Sequence, residues 1–204
     1  TGGSLFLSSG QSEFGKSGNV DIVTGNGGED ASSGSIFIRT GKSGSGQSGS
    51  INFESGNSMM SNEGFRISIG HSQEKGGDIQ LSAGGSARST GGSIILSSGG
   101  SEKMASGGVF LSTAMSVQGG RSGKVQISSG TSVQYSSGAI SIQSGETKSG
   151  ISGGIALVVG NGGSGNGGSV YLSAGNSHTQ HSSGGEVKIQ AGMSSGVLSE
   201  GGKV

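Results

Sequence analysis

One pattern recurs thirteen times along the chain and constrains its fold more than any other feature. Each copy reads glycine, any residue, apolar, any residue, apolar, any residue, small residue, glycine. Examples are GGSLFLSSG at 2–10 and GGSIILSSG at 91–99. Successive copies are 14 to 17 residues apart, mostly 15. Fixed-period self-similarity of this kind is the sequence signature of a repeat architecture.

Two positions of every repeat are always apolar. The first apolar residues are Leu5, Val20, Ile36, Ile51, Phe65, Ile79, Ile94, Val109, Val125, Ile140, Ile155, Val170 and Val187. The second apolar residues are Leu7, Ile22, Ile38, Phe53, Ile67, Leu81, Leu96, Leu111, Ile127, Ile142, Leu157, Leu172 and Ile189. We call these twenty-six residues the apolar pairs. Because the residue between the members of a pair varies freely, the alternation predicts a half-buried strand of about five residues in each repeat.

A third inward position follows each apolar pair and is usually small, as in Ser9 and Ala83; Ile69 and Val159 are larger there. An opening glycine precedes the pair and a closing glycine follows the third position, with Glu63 and Ala114 as exceptions. Glycine is typical where φ is positive or where backbones approach closely.

Three local expectations follow from this reading. We expect Gly99, a closing glycine, to have a positive φ or close backbone packing. The strand pattern predicts that Leu96 is buried, so that Leu96→Asp costs several kcal/mol. A serine stands two residues after the closing residue in ten of the thirteen repeats, and we expect this turn serine to bond nearby backbone.

The pattern predicts an all-β fold, a parallel β-solenoid of thirteen repeats that forms a single array over 1–204. One geometry places a complete coil in each repeat of about 15 residues. The other uses coils of about 30 residues with two facing sheets, and we favour it because the segments between strands carry only irregular apolar residues, such as Phe14, Met59 and Leu198. No capping repeat is visible, and 201–204 resembles the start of a fourteenth repeat, so we expect a fragment of a longer array.

Composition excludes several classes of protein. Glycine accounts for 48 of the 204 residues and serine for 46, which is typical of flexible linkers, but linkers have no repeated apolar pair. Twelve acidic and twelve basic side chains are scattered, so we expect no nucleic-acid partner. No apolar stretch is long enough for a membrane span. The absence of cysteine leaves the redox compartment open.

Two segments formally match catalytic or nucleotide-binding motifs. Residues 10–17 match the phosphate-binding pattern G-x-x-x-x-G-K-[ST], but a true motif opens a helix, and here the next predicted strand follows. Residues 192–196 match G-x-S-x-G, but no helix pattern and no histidine follow Ser194. At this glycine and serine content, chance gives about two G-x-S-x-G matches, so that match carries no weight. Chance gives on the order of 0.1 matches to the phosphate-binding pattern, so a single match there is weak.

Candidate metal ligands and paired carboxylates are equally sparse. His178 and His181 are three residues apart, with only Glu186 nearby as a third ligand, and we interpret them as a solvated loop. Glu29 and Asp30 adjoin each other, with no second carboxylate site to face them. We therefore predict no enzyme, no catalytic residue, no cofactor and no metal.

Five apolar residues occupy outward positions between the members of a pair. These outward residues are Phe6, Phe37, Ile95, Phe110 and Tyr171. Exposed apolar groups on a repeating scaffold indicate candidate lateral contacts with another chain. The alternative is that they are scattered surface apolar residues, which are normal.

The spacing and the apolar-x-apolar strands resemble the β-solenoid repeat proteins of cell surfaces, including adhesin stalks, appendage filaments and, less closely, ice-binding solenoids. The resemblance implies a structural extracellular or cell-surface protein that forms a rigid rod, filament, appendage or adhesive stalk and associates with itself end to end or laterally. The alternative is a solenoid that binds a surface such as ice or polysaccharide. Calcium-binding solenoids use G-G-x-G-x-D-x-U-x, and the nearest segment, 162–170, has Gly167 in place of the aspartate.

Overall fold

Regular secondary structure is absent from the part of the chain that the structure describes. The computed structural model describes residues 2–62, 64–117, 119–194 and 201–203, and within these ranges there is no helix and no strand. Bends recur between repeats, for example at 13–15, 44–46 and 102–104. Two tight turns lie at 29–30 and 180–181, where Asp30 and His181 have φ of 62° and 66°.

The predicted β-solenoid is therefore wrong, in both its two-sheet form and its form with one coil per repeat. A strand requires a ladder of backbone hydrogen bonds to a neighbour. Among the described residues, the backbone hydrogen bonds close local loops and build no ladder. A closed coil would bury only two apolar side chains in each glycine-rich repeat. Because glycine loses more conformational freedom on folding than any other residue, the entropy cost of ordering such a repeat is high relative to this burial.

The chain divides into two units, Thr1–Leu96 and Ser97–Val204, and the same loop geometry recurs in each. In five loops the opening glycine of one repeat donates its N–H to the carbonyl of the preceding closing glycine. The bonds in the first unit are Gly18 to Gly10 at 3.1 Å and Gly92 to Gly84 at 2.9 Å. Those in the second unit are Gly107 to Gly99 at 2.9 Å, Gly185 to Gly175 at 2.8 Å and Gly202 to Gly192 at 2.9 Å. In these loops, the segment between two repeats thus brings the start of one repeat back beside the end of the preceding repeat.

The turn serines hold these loops, as predicted. Ser12 Oγ accepts the Gly15 N–H at 3.0 Å, and Ser101 Oγ accepts the Met104 N–H at 3.0 Å. The same kind of bond is made by Ser43, Ser58, Ser72, Ser86, Ser132 and Thr147. A serine or threonine hydroxyl that bonds a backbone N–H two or three residues ahead replaces a backbone turn bond. The recurrent hydroxyl therefore has a structural role in the loop.

Two of the local expectations are wrong. Leu96 is 75% exposed, so an aspartate there would meet water and would not be a buried unpaired charge. Gly99 has no positive φ, and a Cβ added to it would meet nothing within 4 Å. The closing glycine is thus not required by local geometry, and the Gly99 carbonyl matters only as the acceptor for Gly107.

Candidate interaction surface

The closest packing between repeats is a contact between an opening glycine and the third-position residue of the preceding repeat. We call it the loop contact. A Cβ placed on Gly18 would lie 3.3 Å from Ser9 Cβ, and one placed on Gly185 would lie 3.3 Å from Ala174 Cβ. The other loop contacts join Gly34 to Thr24, Gly49 to Thr40, Gly77 to Ile69, Gly92 to Ala83, Gly107 to Ser98, Gly123 to Thr113, Gly138 to Ser129, Gly153 to Ser144, Gly168 to Val159 and Gly202 to Ala191.

The loop contact explains both the opening glycine and the small third residue. Where that residue is larger, the approach is tightest: a Cβ on Gly77 would lie 2.9 Å from Ile69 Cγ2, and one on Gly168 would lie 2.8 Å from Val159 Cγ1. Real Cβ atoms essentially never come this close, so a side chain at Gly77 or Gly168 would require the methyl group of Ile69 or Val159 to shift. The close approach predicted for opening glycines is confirmed where an added Cβ would lie within 3.3 Å of the preceding repeat, at Gly18, Gly34, Gly77, Gly168 and Gly185. At Gly107, Gly138 and Gly153 the distance is 3.6–3.8 Å, which is an ordinary contact. Glu63, which replaces an opening glycine, lies outside the described residues.

The third position is also where the chain is best shielded from solvent. Ser9, Ala174 and Ala191 are half-buried, and every other described residue is exposed. All three contribute side chains to loop contacts. The loop contact is therefore the main point of packing within the described chain.

The apolar pairs remain open to solvent. In four of the five repeats with an outward apolar residue, both members of the pair are less exposed than that residue; Leu5, at 97%, is the exception. Ile94 is 56% exposed, whereas Ile95, the next residue and the same residue type, is 82% exposed. Ile36 at 50% and Phe37 at 76% show the same difference. Exposure that alternates along the chain indicates side chains that point alternately to two faces. We call the face that carries the apolar pairs the pair face.

One contact shows how pair residues meet. The rings of Phe53 and Phe65 stack with their centroids 6.0 Å apart and an interplanar angle of 23°. Phe53 is the second apolar residue of its repeat and Phe65 is the first apolar residue of the next repeat. Aromatic pairs at this separation gain about 0.5–1.5 kcal/mol beyond their area burial. Pair residues thus contact pair residues when repeats come together.

The five outward residues are all strongly exposed. Their exposed fractions are 87% for Phe6, 76% for Phe37, 82% for Ile95, 94% for Phe110 and 87% for Tyr171. Phe37 has a neighbour on its ring face, the Arg39 guanidinium carbon, 5.4 Å from the ring centroid. Such an exposed cation–π contact contributes about 0.5–1 kcal/mol. Their role as lateral contacts stays a prediction.

The segments with formal motifs form ordinary loops. Residues 10–17 close through the Ser12 hydroxyl and open no helix. Glu29 and Asp30 lie in a turn closed by the Ala31 N–H and the Gly28 carbonyl at 3.2 Å. Of the segment 192–196, residues 195–196 lie outside the described residues.

The loop that carries His178 and His181 is held by hydroxyl groups. Ser182 Oγ donates to the Thr179 carbonyl at 2.9 Å and lies 2.6 Å from Thr179 Oγ1. Ser182 Oγ also bonds the hydroxyl of Ser177. Among the described residues, no group of three histidine, cysteine, aspartate or glutamate side chains could hold a metal ion.

Neither a cavity nor a membrane-crossing helix occurs in the described ranges. The surface with a repeated chemical character is the pair face. Sequence reasoning identified its residues but placed them in a core. It did not predict that third-position residues meet the next opening glycine, although their regular spacing of eight to eleven residues was a usable signal.

Comparison with known proteins adds no family assignment. No protein-family model, no curated protein and no solved structure matches the chain.

Proposed function

We propose that the chain is a non-enzymatic structural protein of the cell exterior, which builds a rod, filament, appendage or adhesive stalk by associating with further copies of itself. The observation that carries the proposal is the exposure of the apolar pairs. Every pair residue is at least 45% exposed. A chain that repeats an apolar surface thirteen times and leaves it open offers that surface to another molecule.

The accessible surface of the chain supports the same proposal. The chain exposes 21412 Å² at a mass of 19.6 kDa. A folded monomer of this mass exposes about 8,600 Å², and the fully unfolded chain about 28,000 Å². Because most of its apolar surface is still in contact with water, the chain retains a large driving force for burial. Association between chains would supply that burial.

Charge does not oppose assembly. The chain carries twelve acidic and twelve basic side chains, so the net charge is zero at pH 7. Proteins without net charge lack the long-range repulsion that keeps molecules apart. Lateral association through side chains is the mode that we propose. End-to-end stacking through strand edges has less support, because the described residues contain no strand.

The alternative function is binding of ice or a polysaccharide through a flat face. It depends on an ordered array of hydroxyl or aromatic groups, and the outward positions instead mix residues such as Phe6, Asp21, Arg66 and Ser141. No ordered sheet among the described residues presents such an array. Self-association is therefore the better-supported proposal.

Sedimentation velocity of the full chain over a range of concentrations tests the proposed function. We expect species that grow with concentration, and we expect them to shrink on cooling because apolar association weakens at low temperature. A single monomeric species at all concentrations would contradict self-association. Antibody labelling of intact, unpermeabilised cells that express the chain tests the extracellular location separately.

A further inference from the structure

We infer that the pair face, rather than the outward residues, is the surface on which a second copy of this chain docks. The inference deepens the proposed function and rests on it. The two faces are adjacent in every repeat, so the choice between them is a choice between neighbouring residues. Ile94 and Ile95 represent the two faces with the same side chain, 56% and 82% exposed.

Within each unit, the exposed pair residues offer an apolar area comparable to one side of a stable interface. Burying one such side chain removes about 60–120 Å² of apolar surface from water. All pair residues except Leu5 are between 45% and 75% exposed. Summed within each unit, the fourteen pair residues of the first unit offer roughly 500–1,000 Å² of apolar surface, and the twelve of the second unit offer roughly 450–900 Å². A standard stable interface needs about 800 Å² from each partner.

The outward face is apolar in only some of the repeats. Outward positions in other repeats carry charged or polar residues, including Asp21, Arg66, Gln80 and Lys188. A continuous interface along the outward face would bury these groups, and burying an unpaired charge is costly. The pair face has no such interruption in any of the thirteen repeats.

A second copy is the occupant that fits the spacing of this face. Only a chain with the same repeat presents apolar pairs at intervals of 14 to 17 residues, so that each pair meets another pair. The stacked rings of Phe53 and Phe65, from neighbouring repeats, show that pair residues pack on one another. Zero net charge removes the repulsion that would oppose two identical chains.

Two single substitutions in one repeat test which of the two faces forms the contact between chains. We compare Ile94→Asp with Ile95→Asp in the full chain, and we measure by sedimentation the concentration at which half of the chains are associated. Ile94→Asp is expected to raise this concentration about 10- to 100-fold, because one buried aliphatic side chain is lost from the interface. Ile95→Asp adds the same charge to the outward face and is expected to change it little.

Local damage is excluded by a second measurement on both variants. The Gly92 N–H donates to the Gly84 carbonyl at 2.9 Å in the loop that precedes this repeat. Hydrogen exchange of this amide at the parent rate in both variants shows that the loop is intact. Ile94→Leu, which keeps an aliphatic side chain, is expected to restore association to near the parent level.

Each outcome is decisive. If the parent chain does not associate, the proposed function fails. If the parent associates and the two aspartate variants weaken association equally, the pair face fails as the docking surface while the proposed function stands. A larger effect of Ile95→Asp places the contact on the outward residues and likewise overturns the inference.

Discussion

Aspartate at four first apolar positions is expected to abolish self-association of the chain. The substitutions are Ile36→Asp, Ile79→Asp, Ile94→Asp and Ile140→Asp. The four side chains are 50–56% exposed in the isolated chain, so the substitutions add no buried charge there. In an interface on the pair face, each substitution removes about 1.5–3 kcal/mol of apolar burial, or about 6–12 kcal/mol for all four. Sedimentation at the highest attainable concentration should then show only monomer.

A matched control moves each aspartate by one residue. The control substitutions are Phe37→Asp, Gln80→Asp, Ile95→Asp and Ser141→Asp, which add the same charge in the same repeats. Because they lie on the outward face, this variant is expected to assemble much as the parent does. If both variants remain monomeric, added charge alone accounts for the loss, and the pair face has no special role.

Valine in place of Gly185 is expected to open the loop between the last two complete repeats. A Cβ there would lie 3.3 Å from Ala174 Cβ and 3.3 Å from the Gly175 nitrogen, and neither atom can move without moving backbone. The Gly185–Gly175 hydrogen bond at 2.8 Å would be lost. Such a bond contributes about 0.5–1.5 kcal/mol, so amide exchange at residue 185 should accelerate about two- to tenfold.

The control for this prediction is the closing glycine of the same repeat. A Cβ on Gly192 would meet nothing within 4 Å, so Gly192→Val should leave exchange at Gly185 unchanged. If Gly185→Val also leaves the exchange rate unchanged, or if Gly192→Val accelerates it as much, the loop contact does not order the loop.

Local features of the chain were predictable because they depend on residues close in sequence. The turn serines need only a backbone N–H two or three residues further along the chain, and their bonds are confirmed. The opening glycines need close approach of the preceding repeat, and that is confirmed as well. Both features arise within a single loop of the chain.

The fold class was not predictable in the same way. The alternation at Ile94, Ile95 and Leu96 indicates two faces, and their different exposures agree with that. Alternation does not specify what covers a face, and a buried strand requires a partner that one repeat cannot supply. The prediction assumed that neighbouring repeats supply it within one chain, whereas the described residues leave Leu96 exposed.

The candidate surface was predictable in its residues but not in its role. Sequence reasoning assigned the pair residues to a core and the outward residues, such as Phe110, to lateral contacts. Exposure of both sets in the structure makes the pair face the larger and more regular apolar surface. The spacing alone does not distinguish apolar residues that are buried within one chain from apolar residues that are buried between two chains.

Solvent access to the isoleucine methyl groups, measured as the chain assembles, tests this account most directly. With isoleucine methyl labelling and a soluble paramagnetic probe, the signals of Ile36, Ile51, Ile79, Ile94, Ile140 and Ile155 report the pair face. Ile95 and Ile151, which are 82% and 99% exposed, serve as internal controls. We predict that the probe attenuates all of these methyl signals in dilute monomer and that assembly protects the pair-face methyls while Ile95 and Ile151 stay accessible. Protection of the pair-face methyls at every concentration, or equal protection of Ile94 and Ile95 on assembly, would contradict the account.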